Sequence, residues 1–222
     1  TEAQTFMGNL ILRVRKGSTM AAINEISLED YLTSVISSEM NSSAPEEFLK
    51  VHAIVSRSWL LASLKRKNKS SKLLAKTSDN KILRWYERET HDIFDVCADD
   101  HCQRYHGLTK TISQKAKEAV QKTHGLVITY RNRICDARYS KACGGLTEEF
   151  KTAWANKRIP YLSSISDAPL SYRKINTEED AIDWIMSNPH AYCNIRNKNV
   201  LKKILSITDR KTQNFFRWTV TY

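Results

Sequence analysis

Glu39 is the side chain whose setting most invites chemistry. Leu28, Tyr31, Leu32, Val35 and Ile36 recur ahead of it at helical spacing, and Glu39, eleven residues after Leu28, lies within about 20° of it at 100° per residue. A carboxyl in line with a buried stripe is desolvated, and desolvation favours the neutral acid that can give up a proton. One such group can donate first and accept afterwards, which is all that general acid and base catalysis by a single residue requires. An uninvolved, solvated side chain is the ordinary alternative for a lone glutamate.

A second constellation lies downstream. His91, Cys97, His101 and Cys102 put two imidazoles and two thiols within twelve residues, the ligand count of a closed tetrahedral zinc site. Four protein ligands leave no open position for water, so a zinc here would be structural and would pin a loop. Asp99 or Asp100 could replace one ligand. The competing reading is a short-loop disulfide between Cys97 and Cys102, or free thiols, with both histidines on the surface. Five cysteines in all, with Cys135, Cys143 and Cys193 completing the set, are an odd number that argues against a full disulfide framework.

The elements that must carry these groups can be read from the pattern. Phe6 to Val14 and Met20 to Ile26 read as two strands, Ser27 as the cap of a first helix, Asn41 to Ala44 as a turn. Pro45, Glu46 and Glu47 then open a second helix through Phe48, Val51, Val55, Trp59 and Ala62, with Arg57 near its middle. Helices joined so closely fold back on each other. A basic stretch from Lys65 to Lys81 reads as a solvated helix end and loop or as a binding patch; Ile82 to Glu89 fits strand or helix, and His91 to His106 is a loop.

Ser113 to Thr123 reads as a third helix ended by Gly125, and Leu126 to Tyr130 with Ile134 to Ser140 as a hairpin around Arg131 and Asn132. Cys143 to Thr147 is a turn, Thr177 to Met186 a short helix, and Phe215 to Tyr222 a strand. The class is α+β, mixed helices and antiparallel strands forming a cleft, as one domain or two lobes. Residues 1–165 are expected to form the core, with the Cys/His loop inserted at about 91–102, and 166–222 a C-terminal extension.

The motifs together have a family likeness. Leu28-Glu29-Asp30-Tyr31-Leu32, Glu39-Met40, Pro45, Ala53 and Arg57-Ser58-Trp59, followed by Thr123-His124-Gly125 and Tyr139-Ser140-Lys141-Ala142-Cys143-Gly144-Gly145-Leu146-Thr147-Glu148, resemble the conserved blocks of the stage II sporulation protein D family, which includes amidase enhancers. Asn41 stands where that family often has proline, and Lys141-Ala142-Cys143 replaces its usual small or hydroxyl residues. The resemblance implies a lytic transglycosylase that cuts peptidoglycan between N-acetylmuramic acid and N-acetylglucosamine, with Glu39 as the only acid and base.

It implies further that Arg57 holds that glutamate or a sugar substituent, an ordinary ion pair within its own helix being the alternative, and that Tyr105 lines the cleft unless it packs in the core. Tyr139, Ser140, Gly144, Gly145, Thr147 and Glu148 would contact the glycan, a plain tight turn being the alternative for the two glycines. Some members of that family carry zinc on a comparable His and Cys set. A net charge of +11 suits glycan strands stripped of stem peptides, which expose lactyl carboxylates.

Peptidoglycan lies outside the cytoplasm, so the chain is expected to be exported to the periplasm or cell envelope, anchored or secreted, and trimmed at both ends. No run of about 18 apolar residues spans a membrane. The rival within the family is a non-catalytic glycan-binding module that recruits a cell-wall amidase. A second rival, nucleic-acid binding, draws on the charge and on Phe215, Phe216, Arg217 and Trp218, but no standard binding motif accompanies them and no nucleic acid is expected.

Overall fold

The computed structural model describes residues 3–17, 19–40, 42, 44–66, 74–78, 81–85, 91–99, 101–109, 113–140, 143–168, 175–186, 191–192 and 197–200, with the main chain only at 74–78, 81–85 and 185. The expected strand at Phe215 to Tyr222, Cys193, and the end of the last helix at Asn188 and Pro189 lie outside these.

Ser27 starts the helical part of the chain. Its hydroxyl accepts the Asp30 N–H at 3.2 Å and donates to the Asp30 carboxylate at 2.7 Å, a reciprocal cap for α1 (Leu28–Glu39). Leu32, Val35 and Ile36 along α1 are fully buried. Burial of each stabilises the fold by about 2 kcal/mol. Pro45 precedes α2 (Glu46–Leu64), whose Glu46 and Glu47 complement the helix dipole. The third helix, α3 (Gln114–Lys122), is capped by Ser113, whose hydroxyl accepts the Ala116 N–H at 3.1 Å.

Three antiparallel strand pairs complete the regular structure: β1 (Asn9–Val14) with β2 (Met20–Glu25), β3 (Leu74–Ser78) with β4 (Lys81–Trp85), and β5 (Thr129–Tyr130) with β6 (Arg133–Ile134). Arg131 and Asn132 turn the last hairpin with φ of 49° and 58°, the left-handed pair a two-residue turn needs. That hairpin is shorter than the alternation suggests, because the Ile128 N–H donates instead to the Ser58 hydroxyl of α2 at 2.9 Å.

The class is α+β, as the sequence indicates. The basic stretch does differ from its reading as a loop: Lys65 ends α2, but Leu74–Ser78 pairs with Lys81–Trp85. Leu74-Ala75-Lys76-Thr77-Ser78 is compatible with a strand, and its period was hidden by the surrounding lysines.

The chain divides into two compact units: Thr1–Ser70 with Arg88–Ala137, and Ser71–Glu87 with Arg138–Tyr222. The first holds α1, α2 and α3 around a core of Tyr31, Leu32, Val35, Ile36, Ala53, Trp59, Leu60, Ala116 and Val120, which Cys102 and Tyr105 of the long loop complete. In the second, residues 145–147 run antiparallel to 165–167, α4 (Phe150–Ala153) follows, and α5 (Glu178–Met186) lies beyond. The Arg138 guanidinium lies 5.8 Å from the Phe150 ring and 5.4 Å from Trp154, a cation–π arrangement. Among the described residues no helix is long and apolar enough to cross a membrane.

Candidate functional site

Glu39 is the last residue of α1, and only partly buried: the fully buried run of the helix stops at Ser37. The stripe therefore delivers the carboxyl to the edge of the core rather than into it. There one oxygen accepts the Arg104 N–H at 2.8 Å. A carboxylate held by a main-chain donor from a separate segment is aimed, and its exposure leaves room for a substrate.

The segment that supplies this donor is itself tied down. The Cys102 N–H donates to the Asp99 carbonyl and the Tyr105 N–H to the Ala98 carbonyl, both at 2.9 Å. The Tyr105 ring stacks on Tyr31 at 5.1 Å and its hydroxyl donates to Asn24 Oδ1 at 2.5 Å. Burial first, and the charge of Asp30 second, push the Tyr105 phenol up, so the hydroxyl keeps the proton it donates. Tyr105 is thus packed in the core, at 8 % exposure.

Arg57 is also placed away from Glu39. It is 1 % exposed, and its Nε and Nη2 donate to the two carboxylate oxygens of Glu29 at 2.9 and 2.6 Å, while Nη1 donates to the Leu126 carbonyl at 3.1 Å. A guanidinium this deep needs its counter-charge alongside, and Glu29 in the first turn of α1 supplies it. The pair bridges helices α1 and α2. Sequence reasoning missed Glu29; the signal was an arginine on the buried side of α2, which demands a partner.

The four metal candidates converge. Their ligand atoms all lie within 4.8 Å of one another. His91 Nε2 is 3.3 Å from Cys102 Sγ, and His101 Nδ1 is 3.7 Å from Cys97 Sγ and 3.5 Å from Cys102 Sγ. A tetrahedron with metal–sulfur and metal–nitrogen bonds of roughly 2.3 and 2.0 Å has S···N edges of roughly 3.6 Å, so the group fits a metal ion. Cys97 and Cys102 are not joined in a disulfide. Burial pushes the Cys97 thiol up. A cavity of about 290 Å³ adjoins the group, lined also by Phe94 and by the Arg15–Asp92 pair, which closes at 3.0 Å.

The remaining residues expected at the glycan belong to the second unit. Gly144 and Gly145 have φ of 69° and 94°, where a side chain would be strained, and both are buried. The Gly145 carbonyl accepts the Asp167 N–H at 2.8 Å, and the Thr147 hydroxyl accepts the Ile165 N–H at 2.8 Å. These bonds build the turn itself. Ser140 and Glu148 are exposed, and Tyr139 is partly so. Cys143 Sγ lies 3.3 Å from the Asp167 carboxylate.

Comparison with known proteins adds to this geometry. Residues 16–130 match the family SpoIID, described as stage II sporulation protein, and residues 148–222 match a domain of unknown function, DUF8618. The chain is 26 % identical over 161 residues to an uncharacterized protein of Brachyspira hyodysenteriae, which covers 72 % of this chain and 37 % of the relative. It is 24 % identical over 144 residues to stage II sporulation protein D of Bacillus amyloliquefaciens and 25 % over 146 residues to that of Bacillus subtilis, covering 65 % of this chain and 39 % of each relative. The chain thus spans less than two fifths of the length of these relatives. With the match to residues 16–130 taking in just over half of the chain, and with α1, α2 and the metal-fitting loop all inside it, the protein belongs to the stage II sporulation protein family SpoIID.

Proposed function

We propose that this chain is a peptidoglycan lytic transglycosylase in which Glu39 is the single acid and base. Family membership supports a role at the cell wall. The observation that carries the finer reading is the partly exposed Glu39 carboxylate, aimed by the Arg104 N–H at the end of a helix whose apolar side is buried.

In the reaction the Glu39 acid donates its proton to the glycosidic oxygen as the bond from the muramic anomeric carbon breaks. The sugar's own 6-hydroxyl oxygen then bonds to that carbon, and its proton returns to the Glu39 carboxylate. No water is consumed and the product end is a 1,6-anhydro sugar. Hydrolases of this bond ordinarily need a second carboxylate to activate water or attack the carbon; an intramolecular hydroxyl removes that need.

His91, Cys97, His101 and Cys102 would hold a zinc ion, which supplies structural fixation of the loop that carries Arg104. Arg57 and Tyr105 serve the site from behind, by fixing α1. Tyr139, Ser140 and Glu148 are proposed glycan contacts, and Gly144, Gly145 and Thr147 shape the turn beside them. The excess positive charge suits strands freed of stem peptides. The activity belongs to the cell envelope, so the chain would act after export.

Incubation with peptide-free glycan strands in ¹⁸O-labelled water tests the reaction. Anhydro ends without the label are expected. Labelled reducing ends would make it a hydrolase, and binding without cleavage would make it a recruiting module for a cell-wall amidase.

A further inference from the structure

Gln103 is 1 % exposed, and a primary amide enters a core at little cost only when both of its ends are used. Here they are. Oε1 accepts the Tyr31 hydroxyl at 3.3 Å, and Nε2 donates to the Ser56 carbonyl at 3.4 Å. Tyr31 belongs to α1 and Ser56 to α2, so one side chain from the long loop is bonded to both helices. The next residue is Arg104, whose N–H donates to Glu39. The residue before is Cys102, a member of the metal-fitting group, and the residue after is Tyr105, stacked on Tyr31.

We propose that Gln103 is a positioning residue for Glu39: its amide locks the 102–105 segment onto α1 and α2, so that the Arg104 N–H stays aimed at the carboxylate. The side-chain chemistry matches. An amide offers an acceptor to the hydroxyl and a donor to the carbonyl at once. A carboxylate in its place would set an acceptor against the Ser56 carbonyl, and a thioether would make neither bond. The metal-fitting group fixes the segment on one side and the Tyr105–Tyr31 stack on the other, but neither bonds to Ser56 of α2. A metal held by that group would stabilise the loop, and Gln103 sets its register on the helices.

The inference rests on the reading of Glu39 as the reacting carboxyl, yet the geometry can be measured without catalysis. The experiment is amide hydrogen exchange at Arg104 by NMR in the full chain carrying Gln103→Met. Exchange at Arg104 should quicken by at least about tenfold, while the amides of Val35 and Ile36 inside α1 keep their protection and bound metal stays at the wild-type level. On glycan strands kcat should fall by about a hundredfold with KM unchanged, the pattern of a misplaced reacting group rather than lost binding.

Wild-type protection at Arg104 in a folded Gln103→Met chain would overturn the proposal, and so would equal losses in Arg104 and α1 protection, since the role would then be general stability. If that variant does not fold, Tyr31→Phe carries the test, because it removes the hydroxyl and keeps the ring. Exchange at Arg104 should then quicken about threefold, and no change would overturn the proposal. Faster exchange at Arg104 in a chain whose wild type never cuts glycan would leave the positioning role standing and refute only the assigned reaction.

Discussion

Replacing Glu29 with glutamine removes the counter-charge of a buried guanidinium while changing the volume little. Arg57 is 1 % exposed and Glu29 is 25 % exposed at the side chain, and the pair is bidentate at 2.9 and 2.6 Å. Breaking a buried pair by neutralising one member costs about 3 to 5 kcal/mol, since the other charge stays desolvated. Water can reach the Glu29 side, so the lower end applies, about 3 kcal/mol. For a chain of this size that is a fall in Tm of roughly 6 to 12 °C.

Arg57→Met frees Glu29 to water but leaves the Leu126 carbonyl without its donor, for roughly 2 kcal/mol. The double variant should therefore cost less than the two singles together, by about 2 kcal/mol of coupling. Thermal and urea unfolding followed by circular dichroism provide the four values of the cycle. A Glu29→Gln chain that melts within about 2 °C of wild type, or costs that add within about 0.5 kcal/mol, would refute the claim that Arg57 is a structural bridge.

Elemental analysis of the purified chain should find one zinc, lost in Cys97→Ser and Cys102→Ser; wild-type zinc content in both variants would refute the ligand set. At free zinc about a hundred times Kd the metal should add about 2.7 kcal/mol to stability, read as a lower Tm after chelation. Burial pushes the Cys97 thiol up, and a protonated thiol competes with the metal, so zinc affinity should weaken as pH falls; an affinity flat from pH 8 to 6 would count against thiolate ligation. His52 is 5 % exposed, and burial lowers its pKa from 6.5 to about 4. The unfolded chain therefore takes up a proton that the folded chain refuses, and stability present above pH 6.5 should be lost on the way down to about pH 4, by up to about 3 kcal/mol. His52→Leu should flatten the urea midpoint across that window, and an unchanged slope would show that other groups carry it.

The two helices and their caps were legible because short-range rules decide them. Ser27 sits at the head of a 3.6-residue apolar period, and Pro45 with two glutamates opens the next. The His and Cys set was legible as well, since the ligand types stand close together in sequence and the loop had only to bring them round. What the sequence hid is long-range. Glu29 stood in the family-like motif with nothing local to mark its partner, and only the packing of α1 on α2 sets it against Arg57. Gln103 read as a polar residue between a cysteine and an arginine; that it is buried follows from three separate segments meeting. Tyr105 was readable as core or cleft, and its stack on Tyr31 depends on a contact between residues far apart in sequence. The period that places Glu39 in line with Leu28 holds, but a stripe says nothing about where the core ends, so its partial exposure was not readable. β3 was masked by lysines, whose charge tells of solvent on one face and leaves backbone pairing open.

The most direct test of the central claim compares the wild-type chain with Glu39→Gln on purified, peptide-free glycan strands, with anhydro-muramic ends measured by mass spectrometry and glycan binding by co-sedimentation. The account predicts equal binding and a loss of anhydro ends by at least about a hundredfold in the variant. Anhydro ends formed at the same rate by both proteins would contradict it.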